Sequence, residues 1–259
     1  MSADSHPCPC CGYRTYALPA GGTMQLCPVC GWEDAPGDYT WNGSNKVTLP
    51  IAQRNFKAIG ACEESLLDLV RPYEAKEDRQ QAWTTFDESC HAIMQFIEQA
   101  FKKVSLEGGT RLDQCLDDCT TPETSQKLLA IKPRKRWQNI PRQDIETQGF
   151  SLIYLDPKGI HFHLPAFMRL SLELWRESPF ADFMDSDMLI YGLKEGPQSQ
   201  GYHRNDFQLL DPSQHQAVAA YLKFVAVCRG FCEKDARKGL ENGWQDWLPD
   251  FIPLPSLQS

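Results

Sequence analysis

The chain has 259 residues, 42% of them hydrophobic, and a formal net charge of −8 from 26 basic and 34 acidic side chains. An acidic chain repels phosphate backbones, which argues against nucleic acid as a partner and favours a basic protein. Residues 1–6 contain neither a basic segment nor an apolar run, and no stretch is apolar enough to span a membrane. We therefore expect a cytoplasmic protein with reduced cysteines and no membrane insertion.

A five-residue pattern occurs twice near the start of the chain, as CPCCG at 8–12 and as CPVCG at 27–31. Each copy supplies a C-x2-C pair, and the glycine after the second cysteine lets the backbone curl around a metal ion. Between the copies, residues 13–18 and 23–26 have strand character and flank a turn. The spacing predicts a zinc ribbon, a β-hairpin whose two zinc knuckles bind one Zn²⁺. Its ligands are Cys8, Cys11, Cys27 and Cys30.

A filled four-sulfur shell leaves no coordination position for water or substrate, so we expect the zinc ion to be structural. Eleven cysteines would suggest disulfides in a secreted chain, but the start of this chain indicates a reducing compartment. Cys10 is a fifth thiol in the first knuckle. It could replace Cys8 or Cys11 as a ligand, but it cannot join the same tetrahedron without displacing one of them.

A polar loop at 33–45 follows the ribbon, and then a helix is predicted from Leu49 to Ile59. Thr48 is placed to cap this helix and Gly60 to end it. A further helical run at 62–70 stops before Pro72, and a charged segment follows. We place a domain boundary here, between a ribbon domain at 1–72 and a second domain at 73–259.

The second domain begins with a long amphipathic helix, whose apolar positions between Trp83 and Val104 recur at intervals of three and four. Shorter helices are predicted at 112–119 and 123–131, and longer ones at 166–177 and 212–228. Apolar residues alternate with polar ones at 150–155 and 160–164, which predicts a β-hairpin. The predicted fold class is α+β: the zinc ribbon with its helix, followed by a helix-rich α+β domain with a small antiparallel sheet.

Two resemblances to known families follow from these motifs. The two CPxCG segments, the Trp32-Glu33-Asp34 run and residues 44–56 resemble the bacterial cysteine-rich family named for its CPCC motif. Residues from about 90 to 228 resemble an uncharacterised bacterial domain family, through Trp137, the segment at 163–168 and the helix that contains Gln214. Genes similar to both often lie beside polymorphic toxins as immunity proteins. The resemblance therefore implies an immunity function by association, and it implies no catalytic activity.

The leading hypothesis is a non-enzymatic immunity protein, or antitoxin, that blocks a co-encoded toxin with an acidic surface. A nuclease toxin must attract phosphate with positive charge, and carboxylates on an inhibitor would compete for that field. For any one of the candidate contact residues, an ordinary solvated loop is the alternative interpretation. These residues are Glu33, Asp34, Asp38, Tyr39, Trp41, Asp113, Asp117 and Asp118.

An alternative is a zinc-ribbon regulatory protein associated with nucleic acid or transcription. The basic run at 132–136, next to Trp137, is the one stretch that resembles a phosphate-binding patch. A solvated loop, or a run that pairs with the acidic stretch at 113–118, explains it more simply.

A third hypothesis is a metal-dependent hydrolase. His161 and His163 would lie on one face of a predicted strand and could hold a metal, although solvated or half-packed histidines are the favoured interpretation. The cysteine pairs Cys115/Cys119 and Cys228/Cys232 are expected in the core. Because no nucleophile elbow, phosphate loop or metalloprotease motif is present, we expect no enzymatic activity.

Overall fold

The computed structural model describes residues 5–35, 44–80, 83–115, 121–150, 152–177, 186–197, 207–228 and 232–250. Within these residues the chain is rich in helix and has one small antiparallel sheet beside the cysteine group, so the predicted α+β class is confirmed. No helix in the described ranges is both long and apolar enough to cross a membrane.

The sheet consists of strands β1 (His6–Pro7) and β2 (Arg14–Tyr16), which pair antiparallel across the first knuckle. The sequence predicted instead that 13–18 would pair with 23–26. Only the first of these segments contains a strand, and Leu26 forms a single isolated bridge with Glu33. The difference has a local cause, because the Gln25 side-chain amide, rather than a second strand, bonds the backbone of Ala17 and Leu18.

The described helices are long in the core and short at the periphery. Their bounds are α1 Leu49–Ile59, α2 Phe86–Ala100, α3 Pro122–Leu129, α4 Arg142–Gln148, α5 Pro157–Glu177, α6 Asp187–Leu193, α7 Pro212–Val227 and α8 Glu233–Glu241. Single 3₁₀ turns occur at Glu64–Leu66, Leu112–Gln114, Trp137–Asn139 and Trp244–Trp247.

The predicted helices at 49–59, 83–104, 123–131 and 212–228 are confirmed, with α2 beginning at Phe86 and ending at Ala100. Capping explains the starts of α2 and α7. Thr85 with Glu88, and Asp211 with Gln214, each form a reciprocal capping box that satisfies backbone N–H groups of the first turn. The run at 62–70 is only a 3₁₀ turn followed by further turns, and for 112–119 the structure describes only the 3₁₀ turn at its start.

The part of the chain after residue 72 is called the helical unit here. Its centre is formed by helices α2, α5 and α7, and α2 contacts both of the others. Aromatic rings fill the space between them. Phe86 of α2, Trp175 of α5 and Phe224 of α7 have ring centroids 5.0–6.1 Å apart. All three side chains are at least 96% buried, so the apolar surface of these rings drives the packing.

The predicted β-hairpin at 150–164 is wrong. Residues 152–155 form turns, and residues 160–164 lie in α5, which begins at Pro157 and runs on through Pro165. The segment read as a hairpin turn starts the helix, because Asp156 Oδ1 accepts the Gly159 N–H at 2.7 Å. Most of α5 is buried, and a helix that is apolar on nearly every side cannot be told from a buried strand by periodicity.

The ribbon unit packs against α2 through α1. The buried side-chain amide of Gln53 donates to the Pro9 carbonyl at 2.9 Å and accepts the Phe86 N–H at 2.9 Å. Beside it, Arg54 pairs with Asp87 and Lys57 with Glu88. The domain boundary at residue 72 stays a prediction. The contacts described here show that residues before and after this boundary are packed together and hydrogen-bonded.

Candidate metal centre

The two CPxCG segments fold into the same local structure. The Gly12 N–H donates to the Cys8 carbonyl and the Gly31 N–H to the Cys27 carbonyl, both at 2.8 Å. Both glycines have left-handed φ angles, +77° and +78°, which L side chains rarely adopt. In each segment the first cysteine N–H also donates to a carbonyl five residues later, at 2.8 Å. The repeated sequence therefore produces two equivalent turns that each present two sulfurs.

The four predicted ligands meet in one buried group. The Sγ atoms of Cys8, Cys11, Cys27 and Cys30 all lie within 4.8 Å of one another, and all four residues are fully buried. Cys8 Sγ is 3.6 Å from Cys30 Sγ, and Cys11 Sγ is 3.6 Å from Cys27 Sγ. These distances are far longer than a disulfide bond. They match the separation of about 3.8 Å that a Zn–S distance of 2.3 Å imposes in a tetrahedron. The group can hold one metal ion.

The electrostatics of the group favour a bound cation. The pKa of Cys27 is lowered, because the thiols of Cys11, Cys30 and Cys8 and the Thr15 hydroxyl all donate towards its sulfur. Burial raises the pKa of Cys11 and of Cys30 well above the usual thiol value. Hydrogen bonds therefore favour negative charge on the Cys27 sulfur, whereas burial opposes negative charge on Cys11 and Cys30. A cation at the centre of the four sulfurs would offset this effect of burial.

Cys10 lies beside the group without belonging to it. It is fully buried, and burial raises its pKa to about 11, whereas its contact with Cys30 acts in the opposite direction. The geometric set of four sulfurs contains Cys8 and Cys11 and does not contain Cys10. The exchange of Cys10 for one of the ligands, which the sequence leaves open, would require the first knuckle to change shape.

The sequence analysis missed the residues that support the metal centre from outside. The Thr15 hydroxyl donates to Cys27 Sγ at 3.2 Å, the Cys62 N–H donates to the Cys30 carbonyl at 2.7 Å, and Gln53 bonds Pro9 within the first knuckle. Gln53 lies 44 positions from Pro9, and no local pattern signals such a contact. Thr15 lies in the expected strand next to the first knuckle, which was the one available signal.

Asp34, one of the predicted partner contacts, has a structural role instead. It is 3% exposed, and its carboxylate accepts the N–H groups of Gly21, Gly22 and Thr23 at 2.8–3.0 Å, as well as the Thr23 hydroxyl at 2.7 Å. A carboxylate so fully bonded within the chain is not free to meet a partner. The prediction for Asp34 is therefore wrong, and its charge closes the turn at 19–23.

The other predicted acidic contacts are scattered or lie beyond what the structure describes. Glu33 is partly exposed, and its backbone bonds the Asn45 side chain. Asp113 forms a bidentate ion pair with Arg111, which lowers its pKa, so the basic run at 132–136 is not its partner. The remaining predicted contacts, Asp38, Tyr39, Trp41, Asp117 and Asp118, lie outside the described residues.

His161 and His163 do not share a face of a strand, since both lie in α5. His161 Nε2 bonds Gln214 Oε1 at 3.0 Å, whereas His163 Nδ1 donates to the Gly159 carbonyl at 2.8 Å. Residues two apart on a helix point in different directions, so the geometric basis of the hydrolase hypothesis is wrong. Burial lowers the pKa of His163 to about 4, which makes it a neutral core residue.

The aromatic residue beside the basic run is not available for stacking on a base. Trp137 is fully buried, its Nε1–H donates to the Phe101 carbonyl at 2.8 Å, and the Arg169 guanidinium lies over its ring. Cys115, Cys228 and Cys232 are at most 6% exposed, as the sequence predicted, and Cys119 lies outside the described residues. The metal centre is thus the candidate site that the sequence located.

Comparisons with known families find two models that match different parts of the chain. The model of the family described as cysteine-rich CPCC matches residues 6–77. A second family model, described as a family of unknown function (DUF6714), matches residues 89–247, which is more than half of the chain. No curated protein and no solved structure was found to match. The chain therefore belongs to the DUF6714 family of unknown function and carries a cysteine-rich CPCC domain at its N-terminus.

Proposed function

We propose that the metal is a single structural Zn²⁺. The observation that carries this proposal is the complete burial of four sulfurs at tetrahedral spacing. Such a shell is closed to water, and tetrahedral thiolate sites select zinc or iron. Elemental analysis of the purified chain should find one zinc per molecule, released when the ribbon is unfolded. One equivalent of iron, with the visible absorption of an iron–thiolate site, would contradict the proposal.

We also propose that the chain is a non-catalytic immunity protein that binds a co-encoded toxin, a basic nuclease being the best match to its charge. A net charge of −8 speeds the encounter with a basic partner and opposes binding of the partner's nucleic-acid substrate. With its metal shell closed, the ribbon contributes a stable surface rather than a reaction centre.

An exposed apolar surface on the ribbon supports a protein partner. We call residues 17–26 the ribbon tip. Leu18, Met24 and Leu26 of this segment are 58%, 56% and 64% exposed. Large apolar side chains grouped in one short segment of a soluble protein commonly mark an interaction site. This surface replaces Asp34 and Asp113 as the main predicted contact, because neither carboxylate is free.

The ribbon tip is held in one conformation by two side-chain networks. The Gln25 amide bonds the Ala17 and Leu18 N–H groups, the Leu18 carbonyl and the Thr23 hydroxyl. Asp34 fixes 21–23 from the other side. Met24 is kept at φ +60°, which is uncommon for a residue other than glycine. A surface ordered before binding loses less conformational entropy on association, which suits an inhibitor.

The test is a titration of the zinc-loaded chain against the product of the adjacent gene, combined with rescue of growth when that product is expressed. We expect one-to-one binding and rescue. Serine substitutions of Leu18, Met24 and Leu26 together should weaken binding by about 100-fold or more, since each buried apolar anchor contributes above about 1 kcal/mol.

Serine substitutions of three exposed apolar residues elsewhere, Leu129, Ile153 and Leu209, provide the matched control and should leave binding unchanged. Equal binding by both triple variants would show that the ribbon tip is not the contact. If the unaltered chain neither binds nor rescues, the immunity function itself is wrong.

The alternative of a nucleic-acid-associated regulator has weaker support, because Trp137, the aromatic residue beside the basic run, is buried. It predicts a shift of duplex or single-stranded probes that is strongest at low salt, where counterion release contributes most. A flat titration at low salt would exclude it.

A further inference from the structure

A cleft of about 480 Å³ opens where the C-terminal end of α2 faces the N-terminal end of α7. Its volume falls within the range of small-molecule sites in proteins. The polar part of its lining includes Lys102, Lys103, Ser105, Glu107, His161 and Gln214. The cleft lies in the unit matched by the family of unknown function and shares no residue with the metal centre.

The hydrogen bonds around Gln214 determine which ring nitrogen of His161 carries a proton. Gln214 Oε1 accepts the Asp211 N–H at 3.0 Å, and Gln214 Nε2 donates to the Ala100 carbonyl at 3.2 Å, so the orientation of the amide is determined. His161 Nε2, 3.0 Å from the same Oε1, must therefore carry a proton. In the neutral ring Nδ1 is then an acceptor, and it has no hydrogen-bond partner among the described residues.

The lysines and the carboxylates that line the cleft differ in whether they already have a partner. Among the residues that the structure describes, neither Lys102 nor Lys103 has a carboxylate oxygen within 4.0 Å. The Glu107 carboxylate accepts the Ser105 hydroxyl, and the Asp211 carboxylate accepts the Gln214 N–H, so both are already bonded within the wall.

A third cation stands close to the cleft. Lys158 Nζ lies 3.3 Å from the Glu107 carbonyl oxygen. Lys158 also interacts with the Asp156 carboxylate, so the cations that the lining itself offers are Lys102 and Lys103. Lysine ammonium groups bind phosphate and carboxylate oxygens as mobile point charges.

We propose that this cleft binds a small molecule that carries a phosphate or carboxylate group. Lys102 and Lys103 hold the anionic oxygens, and His161 Nδ1 accepts a hydrogen bond from a hydroxyl or amine of the same ligand. Gln214 positions His161 from the opposite side and does not contact the ligand. This inference goes beyond the proposed immunity function, and neither depends on the other.

The test uses the full zinc-loaded chain and two probes, inorganic phosphate and acetate, in separate NMR titrations. We expect one of them to cause a saturable shift of the His161 imidazole resonances and of the amides at 99–105. Replacing Lys102 and Lys103 together by glutamine should weaken that binding by about tenfold or more, the effect of losing a charge-assisted hydrogen bond. Which probe saturates distinguishes phosphate from carboxylate recognition.

Lys234→Gln with Lys238→Gln is the matched control, because it makes the same change in net charge at two exposed lysines of α8. His161→Gln keeps a donor towards Gln214 and removes the ring acceptor, so it should weaken phosphate binding and leave the fold intact. Equal losses in the two double variants would show a nonspecific charge effect and overturn the proposal. So would the absence of a saturable shift with both probes.

Discussion

The ribbon unit and the helical unit are stabilised by different means. In the ribbon, two strands of two and three residues make up the sheet, and buried thiols with the Asp34 and Gln25 networks hold the loops. In the helical unit, long helices enclose an aromatic core with bonded caps at their ends. A unit of about 70 residues seldom buries enough apolar surface to be very stable alone, and the proposed metal would add the missing stability.

This difference shows which information each unit needs in order to fold. The cysteine group of the ribbon is built by two turns whose residues are close together in sequence, whereas the core of the helical unit depends on contacts between distant segments, such as Phe86 with Trp175 and Phe224. Four experiments can break or sharpen the comparison, and they follow in order of decreasing expected effect.

The largest effect should come from Cys27→Ser, which removes one ligand of the metal centre. Structural zinc contributes on the order of 10 kcal/mol to the folding of small metal domains, so the variant should lose its zinc and the fold of the ribbon unit. Residues beyond about 75 should stay folded. Metal analysis and amide hydrogen exchange measure the two results.

Cys10→Ser is the control for the loss of a ligand, since Cys10 lies next to the sulfur group without being part of it. It should keep one zinc per chain. If Cys27→Ser unfolded both units in one cooperative step, the boundary at residue 72 would be in the wrong place.

The reverse experiment is Phe224→Ala in the centre of the helical unit. Phe224 is fully buried against Phe86 and Trp175, and loss of a buried phenyl ring costs about 3–5 kcal/mol. Chemical denaturation should show this loss while the zinc content stays at one per chain. Release of zinc from the native variant would mean that the two units fold as one.

In the helical unit, one buried histidine should cause an acid-dependent loss of stability. Burial lowers the pKa of His163 from 6.5 to about 4, so the folded chain favours the neutral ring. The stabilisation is complete above pH 6.5 and decreases as the pH falls towards 4, because only the unfolded chain takes up the proton there. The total is about 3 kcal/mol at 1.36 kcal/mol for each pH unit.

The matched variant is His163→Gln, which can still donate to the Gly159 carbonyl. Its free energy of unfolding should change less between pH 6.5 and 4 than that of the unaltered chain. Metal release at acid pH affects both proteins equally, so the difference between them isolates the histidine. Identical pH profiles would show that His163 is solvated rather than buried.

The smallest effect is expected at the junction, from Gln53→Leu. The change leaves the Phe86 N–H and the Pro9 carbonyl without their buried partner, at a cost of about 1–3 kcal/mol. We expect faster hydrogen exchange at the start of α2 and in the first knuckle, with zinc still bound. Arg54→Lys, on the exposed side of the same junction, should cost less than about 1 kcal/mol.

Local signals account for what could be predicted. The C-x2-C spacing with its glycines located the four ligands, because two residues on one tight turn always place their sulfurs close together. Caps such as Asp211 before Pro212 located helix starts, since the side chain bonds N–H groups of its own first turn. The role of Asp34 could not be predicted, because the sequence of a loop does not show whether its carboxylate faces water or accepts hydrogen bonds from backbone amides.

The sequence by itself determined the group of four cysteines that can hold a metal, the α+β class and the helices whose periodicity is clear, since these depend on interactions within a few residues. Only the tertiary structure decided that residues 157–177 form one buried helix, that Gln53 joins the two units, and that the cleft with His161 exists. The physical reason is burial. A segment covered on all sides loses the polar pattern that reveals its secondary structure, and contacts across the fold leave no mark in the order of the residues.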